Sequence, residues 1–272
     1  MKTDLGAFEV FAGGHGPALC VTHLYSEFNE SGDRFASQFL AHRRVYLVNL
    51  RGAGRSDDAL DEADLSMAQA VCDLESVRQA LGLRNWDFAG HSTGGMLGLL
   101  YATLHPESLN ALIVAGAAAS NEYNRAMDCI YHRMHPRFHR MQELIEDLKS
   151  KQLTDEERRQ LTRQRTMLSL HHPDRYDKYF TGDVSKRIAT RRLHYFSVHD
   201  YPNFDVRSEL PGLRLRTLIL CGRHDVQCPL WCSQDIHALI PDSRLVIFDE
   251  SNHYPFLEEP DKFQEAIKLF LG

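Results

Sequence analysis

Three side chains in this sequence have the types and the order of a serine-based nucleophilic site. Ser92 is the centre of residues 90–94, which read GHSTG and lie between an apolar strand-like run and a helix-like run. Asp225 and His253 follow in that order, each just after a later strand-like run. A serine hydroxyl needs a base that takes its proton and an acid that holds the base in one tautomer. The sequence therefore predicts Ser92 as the nucleophile, His253 as the base and Asp225 as the orienting acid.

The glycines around Ser92 fit a sharp turn between a strand and a helix. A Cβ two positions before or after the serine would collide with neighbouring backbone in such a turn. A Gly-rich turn without a nucleophile is the ordinary alternative, because the pattern is short. The apolar run 86–89, the helical run from Met96 and the additional Gly95 favour the nucleophile.

The acid has alternatives, because Asp249 and Glu122 also follow strand-like runs. A developing oxyanion needs backbone N–H donors, and the N–H of Thr93, directly after the nucleophile, is the first candidate. The second is expected from the loop after the strand ending at residue 23, at Leu24 or Tyr25. Tyr25 is equally well explained as an aromatic packed under a lid. We also expect Leu24, Tyr25 and His91 to contact the substrate.

Composition limits the classes of function. The 272 residues include 43% hydrophobic and 25% charged residues, which is ordinary for a globular protein. The net charge of −6 gives no general basis for binding nucleic acid. No apolar run is long enough for a membrane span, and the first residues do not resemble a secretory signal. We expect a cytoplasmic monomer or homodimer that acts on a small molecule, without nucleic-acid or membrane partners.

No metal or other cofactor is expected. Cys228 and Cys232 are four residues apart, but they lack a second ligand pair at zinc spacing. His132, His135 and His139 are interrupted by a proline and surrounded by arginines, which favours an exposed basic segment. The six cysteines are too scattered for a disulfide framework.

Strand-like and helix-like runs alternate along most of the chain, which predicts a parallel sheet covered on both faces. The strands are expected near residues 8–11, 18–23, 45–50, 86–89, 111–115, 218–221 and 245–248. The alternation stops at residues 121–212, which are charged and helix-prone, with 17 Lys and Arg against 14 Asp and Glu. We therefore predict a core of residues 1–120 and 213–272 and an inserted helical cap of residues 121–212. Its positive charge disfavours a cationic substrate.

These features together resemble the α/β-hydrolase family. The resemblance rests on the motif around Ser92 and on residues 51–56 (RGAGRS), 222–225 (GRHD) and 252–253 (NH). It implies an α/β fold with a mostly parallel eight-stranded sheet and an inserted helical cap. Within the family, the Gly-His-Ser-x-Gly-Gly form and residues 225–229 are similar to proline iminopeptidase-like and carboxylesterase-like serine hydrolases. Those peptidases usually carry His-Gly-Gly-Pro-Gly, where this chain has the bulkier residues 23–27, HLYSE.

The expected function is a serine hydrolase that cleaves a small, largely apolar carboxylic ester, lactone or amide through an acyl-enzyme. An aminopeptidase that removes N-terminal proline is the first alternative. It needs acidic cap residues to hold an amino terminus, and only Glu143, Glu146 and Asp147 form a candidate cluster. An acyl-homoserine lactonase, a carbon–carbon bond hydrolase and a non-catalytic ligand receptor on the same fold remain further alternatives.

Overall fold

A computed structural model describes residues 1–150, 152–182 and 184–272. Its described strands are β1 (Lys2–Thr3), β2 (Gly6–Ala7), β3 (Val10–Gly13), β4 (Ala18–Val21), β5 (Ser26–Glu27), β6 (Arg44–Val48), β7 (Trp86–His91), β8 (Leu109–Ala115), β9 (Arg187–Ile188), β10 (Arg216–Gly222) and β11 (Ser243–Phe248). The described α-helices are α1 (Met67–Ala80), α2 (Thr93–Leu104), α3 (Phe138–Leu148), α4 (Asp155–Met167), α5 (Tyr176–Tyr179), α6 (Thr190–Tyr195), α7 (Leu230–Leu239), α8 (Pro255–Glu258) and α9 (Pro260–Leu271).

The central sheet has the strand order β11-β10-β8-β7-β4-β6-β3. Neighbouring strands are parallel except β3, which runs antiparallel to β6. One apolar cluster, with Phe88 and Leu97, covers one face, and a second, with Ile113 and Phe263, covers the other. Burial on both faces explains why β7 and β8 are almost continuous apolar runs. The predicted α/β architecture is therefore confirmed.

The sheet has seven strands in the described residues, not the eight that the family resemblance implies. The difference lies at the amino-terminal end, where β1 and β2 pair as a separate antiparallel ribbon. The N–H of Ala7 donates to Asp57 Oδ2 (2.7 Å), and the N–H of Glu9 donates to Ser56 Oγ (2.9 Å). This stretch therefore bonds mainly to the loop around Ser56 and Asp57, and it joins the main sheet only from Glu9, whose carbonyl accepts the N–H of Asn49 after β6 (3.0 Å).

Helix α1 begins after a side-chain cap and ends just before a glycine. Ser66 is its N-cap, with Oγ accepting the N–H of Gln69 (3.1 Å), as expected for a hydroxyl at this position. Gly82, just past its end, has φ +69°, a conformation that glycine adopts without a Cβ penalty.

A long insert, residues 116–215, joins β8 to β10 and contains α3, α4, α5, α6 and β9. Strand β9 leaves the insert to pair antiparallel with β5, which follows β4 of the core. The insert is thereby attached to the loop in which the oxyanion donor is predicted. Across the described ranges of the chain, no helix combines the length and the apolar character that crossing a bilayer requires.

Candidate active site

Ser92 has a strained backbone at the junction of β7 and α2. Its φ of 56° and ψ of −125° make it the only non-glycine residue with positive φ among those the structure describes. Its N–H donates to the carbonyl of Ala115 at the end of β8 (2.9 Å). Such a conformation costs about 1–3 kcal/mol and persists only where the surroundings enforce it.

The two glycines of the motif make this turn sterically possible. A Cβ on Gly90 would lie 2.2 Å from the carbonyl oxygen of Gly94 in the first turn of α2. A Cβ on Gly94 would lie 2.4 Å from the carbonyl oxygen of Thr22, just after β4. Both distances are far inside van der Waals contact. A side chain at either position would therefore collide with neighbouring backbone, as the sequence predicts.

His253 and Asp225 form a buried hydrogen-bonded pair at the ends of β11 and β10. His253 Nδ1 lies 2.9 Å from Asp225 Oδ2 and 3.1 Å from Oδ1, and both side chains are almost fully buried. Asp225 Oδ1 also accepts the N–H groups of Gln227 (2.8 Å) and Cys228 (2.9 Å). Because a carboxylate only accepts, Nδ1 carries the proton and Nε2 of a neutral His253 keeps its lone pair.

The two alternative acids have other partners. Asp249 is half-exposed and pairs with Arg223 (2.6 Å) and Lys262 (3.2 Å). Glu122 pairs with Arg207 (2.9 Å). Of the three candidate carboxylates, Asp225 is the one in hydrogen-bond contact with His253.

Gly116 connects the nucleophile turn to this pair, and sequence reasoning missed it. It follows Ala115, which binds the N–H of Ser92, and it has φ +52°. A Cβ on Gly116 would lie 3.0 Å from Asp225 Oδ2 and 3.2 Å from His253 Nδ1. The absence of a side chain therefore lets the histidine and the aspartate lie against the end of β8. Nothing in the local sequence distinguishes this glycine from one in an ordinary turn.

His91 forms a hydrogen bond to the backbone of His253. Its Nε2 lies 2.7 Å from the carbonyl oxygen of His253, and the two ring centroids are 4.6 Å apart. Burial, together with the nearby His253, keeps the pKa of His91 well below its usual range, so the ring is neutral and donates from Nε2–H. Its ring also contacts Phe35, Tyr254 and Phe256. These contacts position His253, and the expected contact of His91 with substrate stays a prediction.

His23 links the two predicted oxyanion donors. Its Nδ1 accepts the N–H of Tyr25 at 3.4 Å, and its Nε2 lies 3.2 Å from Thr93 Oγ1. Burial lowers the pKa of His23 to about 3, so the neutral ring accepts at Nδ1 and donates from Nε2–H. Thr93 is the first residue of α2, and its N–H therefore has no partner within the helix.

Leu24 and Tyr25 are packed beneath the insert. Leu24 is 1% exposed and belongs to an apolar core cluster, so it does not lie at an entrance open to solvent. The Tyr25 ring lies 5.9 Å from that of Phe196, and its carbonyl accepts the N–H of Ala189 (2.9 Å). Tyr25 thus has the packing role considered for it, and its oxyanion and substrate contacts, like those of Leu24, stay predictions.

Among the described residues, one group of side chains could hold a metal ion, and it adjoins the Asp225 loop, since the ring of His171 stacks on that of His224 at 4.1 Å. The ligand atoms of His171, His172 and Glu250 lie within 4.8 Å of one another, with each imidazole Nε2 3.6 Å from Glu250 Oε2. Burial keeps the pKa of His171 below its usual range, so at neutral pH this imidazole is uncharged and its contact with Glu250 is not an ion pair. A cavity of about 800 Å³ nearby is lined by Asp225 and Asn252, and Ser92 is not among its lining residues.

The position of Gly116 leads to a first prediction. Gly116→Ala should displace His253 from Asp225 and slow the labelling of Ser92 by a fluorophosphonate about 10- to 100-fold, because small displacements of a catalytic group are costly. The rate of labelling, followed by mass spectrometry, measures this. Gly82→Ala is the matched control, since Gly82 also has positive φ but nothing within 4 Å of its Cβ position. Equal rates in Gly116→Ala and wild type would contradict the role of Gly116.

Desolvation of the half-buried His23 makes the free energy of unfolding depend on pH. Its folded pKa of about 3 lies below the ordinary 6.5, so the unfolded chain binds more protons between these values and stability falls as the pH is lowered. From pH 7 to pH 5, His23 should account for a loss of about 2 kcal/mol. Urea unfolding at both pH values measures it.

In His23→Gln this loss should be smaller by about the same amount, whereas His15→Gln, in an exposed turn, should behave as wild type. Identical losses in the three proteins would show that His23 is not held neutral by burial.

Comparisons with known proteins identify the family of the chain. A family model described as the alpha/beta hydrolase fold matches residues 18–260. A proline iminopeptidase from Saccharolobus solfataricus is 29% identical over 245 residues, which cover 81% of this chain and 73% of that protein.

Two solved structures are similar over nearly the whole chain. An alpha/beta fold family hydrolase from Bacillus anthracis is 44% identical, with a TM-score of 0.96 and coverage of 99% of this chain and 97% of that one. An esterase from Exiguobacterium antarcticum is 25% identical, with a TM-score of 0.72 and the same coverage. The chain belongs to the α/β-hydrolase fold family.

Proposed function

We propose that this protein is a serine hydrolase that cleaves a small, largely apolar carboxylic ester, lactone or amide through an acyl-enzyme. The observation that carries the proposal is the buried His253–Asp225 hydrogen bond of 2.9 Å, together with the strained Ser92, whose N–H is bound to the residue before Gly116. A protein that only bound a ligand would need neither an oriented base nor a strained serine. This argument favours an enzyme over the receptor alternative.

In the proposed mechanism, Ser92 Oγ attacks the substrate carbonyl carbon while His253 Nε2 takes the hydroxyl proton. Asp225 accepts from Nδ1–H and stabilises the imidazolium that forms. His253 then donates this proton to the leaving alcohol or amine as the tetrahedral intermediate collapses to the acyl-enzyme. Water, deprotonated by the same histidine, attacks the acyl carbon and releases the acid and Ser92.

The oxyanion would be held by the N–H groups of Thr93 and Tyr25. Thr93 begins α2, so the partial positive charge of the helix amino terminus adds to its donor. The N–H of Tyr25 is bound to His23 Nδ1 at 3.4 Å, a long and weak hydrogen bond that an oxyanion would replace. The predicted cap, residues 121–212, would close over this site, with Phe196 against Tyr25 and Tyr201 against Phe196 as apolar surface.

Charge near the site favours a neutral or anionic substrate over an amino terminus. Arg165 of α4 lies close enough to Tyr25, Tyr131 and Tyr254 for its positive charge to lower the pKa of each hydroxyl, although burial, the larger effect, raises it. A positive charge here repels the ammonium group that an aminopeptidase must bind. This supports ester, lactone or neutral amide substrates.

The acidic residues considered for an amino terminus are engaged elsewhere. Glu143 pairs with Arg140 (3.0 Å) and Glu146 with Lys149 (2.7 Å) on the exposed side of α3, and Asp147 is also exposed. Proline iminopeptidase activity therefore remains the alternative suggested by a sequence relative and not by the charges near Ser92. A lactonase or a carbon–carbon bond hydrolase would use the same three residues and stays open.

Replacing the nucleophile tests the proposed function. Ser92→Ala should abolish fluorophosphonate labelling and reduce kcat/KM for p-nitrophenyl butyrate by at least about 10³-fold, because the attacking oxygen is gone. Ser208→Ala, at an exposed serine, is the control and should keep wild-type activity. Turnover by Ser92→Ala at the wild-type rate would exclude the acyl-enzyme mechanism. A lack of turnover by wild type across esters, lactones and amides, together with tight ligand binding, would favour a receptor.

Substrate charge gives a second test. We expect kcat/KM for the p-nitrophenyl ester of 4-(trimethylammonio)butyrate to be at least about ten-fold below that for the neutral butyrate, because of repulsion by Arg165. Arg165→Met should reduce this difference, whereas Arg158→Met, on the same helix but bonded to the carbonyls of Leu148 and Ser150, should keep it. Faster turnover of prolyl p-nitroanilide than of every ester would instead support the aminopeptidase.

A further inference from the structure

Arg192 is a buried arginine of the insert that reaches into the core. It lies on α6 and is 1% exposed. Its Nε donates to the carbonyl of Leu24 (2.5 Å), and its Nη1 donates to the carbonyl of Arg51 (2.9 Å). Its Nη2 is buried and has no hydrogen-bond partner among the described residues. The guanidinium therefore binds backbone carbonyls and not a carboxylate.

Burial of the Arg192 charge costs free energy, which suggests that Arg192 has a role beyond packing. Burying a charge without a carboxylate partner is expensive. Of the two nearby acids, Asp73 is bound in a bidentate pair by Arg51 (2.8 and 3.1 Å), and Asp200 accepts the N–H of Met67 (3.0 Å). Burial lowers the pKa of Arg192 to about 10, so the group is still charged at neutral pH. An apolar side chain would fill the space between α6 and the core at a lower cost.

The carbonyl that Arg192 binds belongs to the same peptide unit as the N–H of Tyr25. A peptide unit is planar and its C=O and N–H point in opposite directions, so fixing the Leu24 oxygen also fixes the direction of the Tyr25 N–H. A charged donor on the oxygen also draws electron density from the amide, which makes its N–H a stronger donor. Both effects act on the predicted second oxyanion donor.

The next carbonyl is bound by the same part of the insert. The carbonyl of Tyr25 accepts the N–H of Ala189, the N-cap residue of α6, at 2.9 Å. Ser26 and Glu27 then pair with β9. The insert therefore binds two successive carbonyls of this loop and leaves the Tyr25 N–H with only the 3.4 Å contact to His23.

We propose that Arg192 is a positioning residue of the oxyanion site, which orients and polarises the Leu24–Tyr25 peptide so that the N–H of Tyr25 stabilises the tetrahedral intermediate. This inference rests on the proposed serine hydrolase function. It makes the insert a part of the catalytic machinery as well as a cover over the substrate.

The test compares Arg192→Met and Arg192→Lys with Arg191→Met. Arg191 is the matched control, because it is the neighbouring arginine of α6 and also ties that helix to the core, through the exposed Asp58 (2.9 Å) and Glu62 (2.7 Å). For p-nitrophenyl butyrate, Arg192→Met should lower kcat about 10- to 100-fold with KM within two-fold, since the loss falls on the transition state. Arg192→Lys should keep part of the activity.

A tetrahedral-state analogue separates positioning from general stability. The affinity for a trifluoromethyl ketone should fall in Arg192→Met by the same factor as kcat, whereas Arg191→Met should change neither value. If folded Arg192→Met and Arg192→Lys keep kcat and this affinity within two-fold of wild type, Arg192 is only structural and the inference is wrong. If Ser92→Ala retains wild-type turnover, the proposed function itself fails, which is a different result.

An experiment on the wild-type protein covers the case in which the Arg192 variants do not fold. In an NMR spectrum with tyrosine amides labelled by ¹⁵N, the Tyr25 amide proton should shift downfield when the trifluoromethyl ketone binds, because it exchanges a weak bond to His23 for one to an oxyanion. The Tyr46 amide, which lies in β6, should not shift. An unchanged Tyr25 resonance in the saturated complex would overturn the inference.

Discussion

Close approach of backbone segments at the carboxyl ends of the central strands is the constraint on which the site depends. Helix α2 can begin directly on β7 because Gly90 and Gly94 have no Cβ. A Cβ on Gly222, at the end of β10, would lie 2.0 Å from the carbonyl oxygen of Asn252, so the loops that carry Asp225 and His253 meet through a glycine as well. These contacts enforce the strained Ser92 and place the histidine loop beside it.

Much of this arrangement could be predicted because its causes are local. Alternating apolar runs and helical periodicity identify β7, β8, β10 and β11 and the helices between them. The carboxyl ends of parallel strands lie at one edge of a sheet, so polar residues just after the strands are natural candidates for one site. Position just after a strand, together with the order serine, acid, histidine, distinguishes Asp225 and His253 from the other acids and histidines of the chain.

The remaining features depend on contacts between distant parts of the chain. The strand expected near residues 8–11 lies at Val10–Gly13, and the residues before it are held by the distant Ser56 and Asp57. Arg191 and Arg192 are adjacent and chemically identical in the sequence, yet one is exposed and paired with acids while the other is buried on carbonyls. Which of two neighbouring arginines faces the core is decided by how α6 packs, and a charged segment carries no periodic signal for that.

The catalytic side chains and the Tyr25 N–H donor of the proposed site are held by different elements of the fold. The nucleophile, base and acid are held by β7, β8, β10 and β11 with their glycines, and none of those backbone supports requires α6. The Tyr25 donor belongs to a loop whose carbonyls are bound by Arg192 and Ala189 of the insert. The insert also accepts the N–H of His253 at the carbonyl of Ser169 (3.2 Å) and donates the N–H of Ile130 to the carbonyl of Val226 (2.6 Å), so a displacement of the insert would disturb both parts of the site. In the proposed mechanism, the oxyanion site is consequently complete only when the insert is closed over a substrate. Bond cleavage then occurs only in an occupied, closed site.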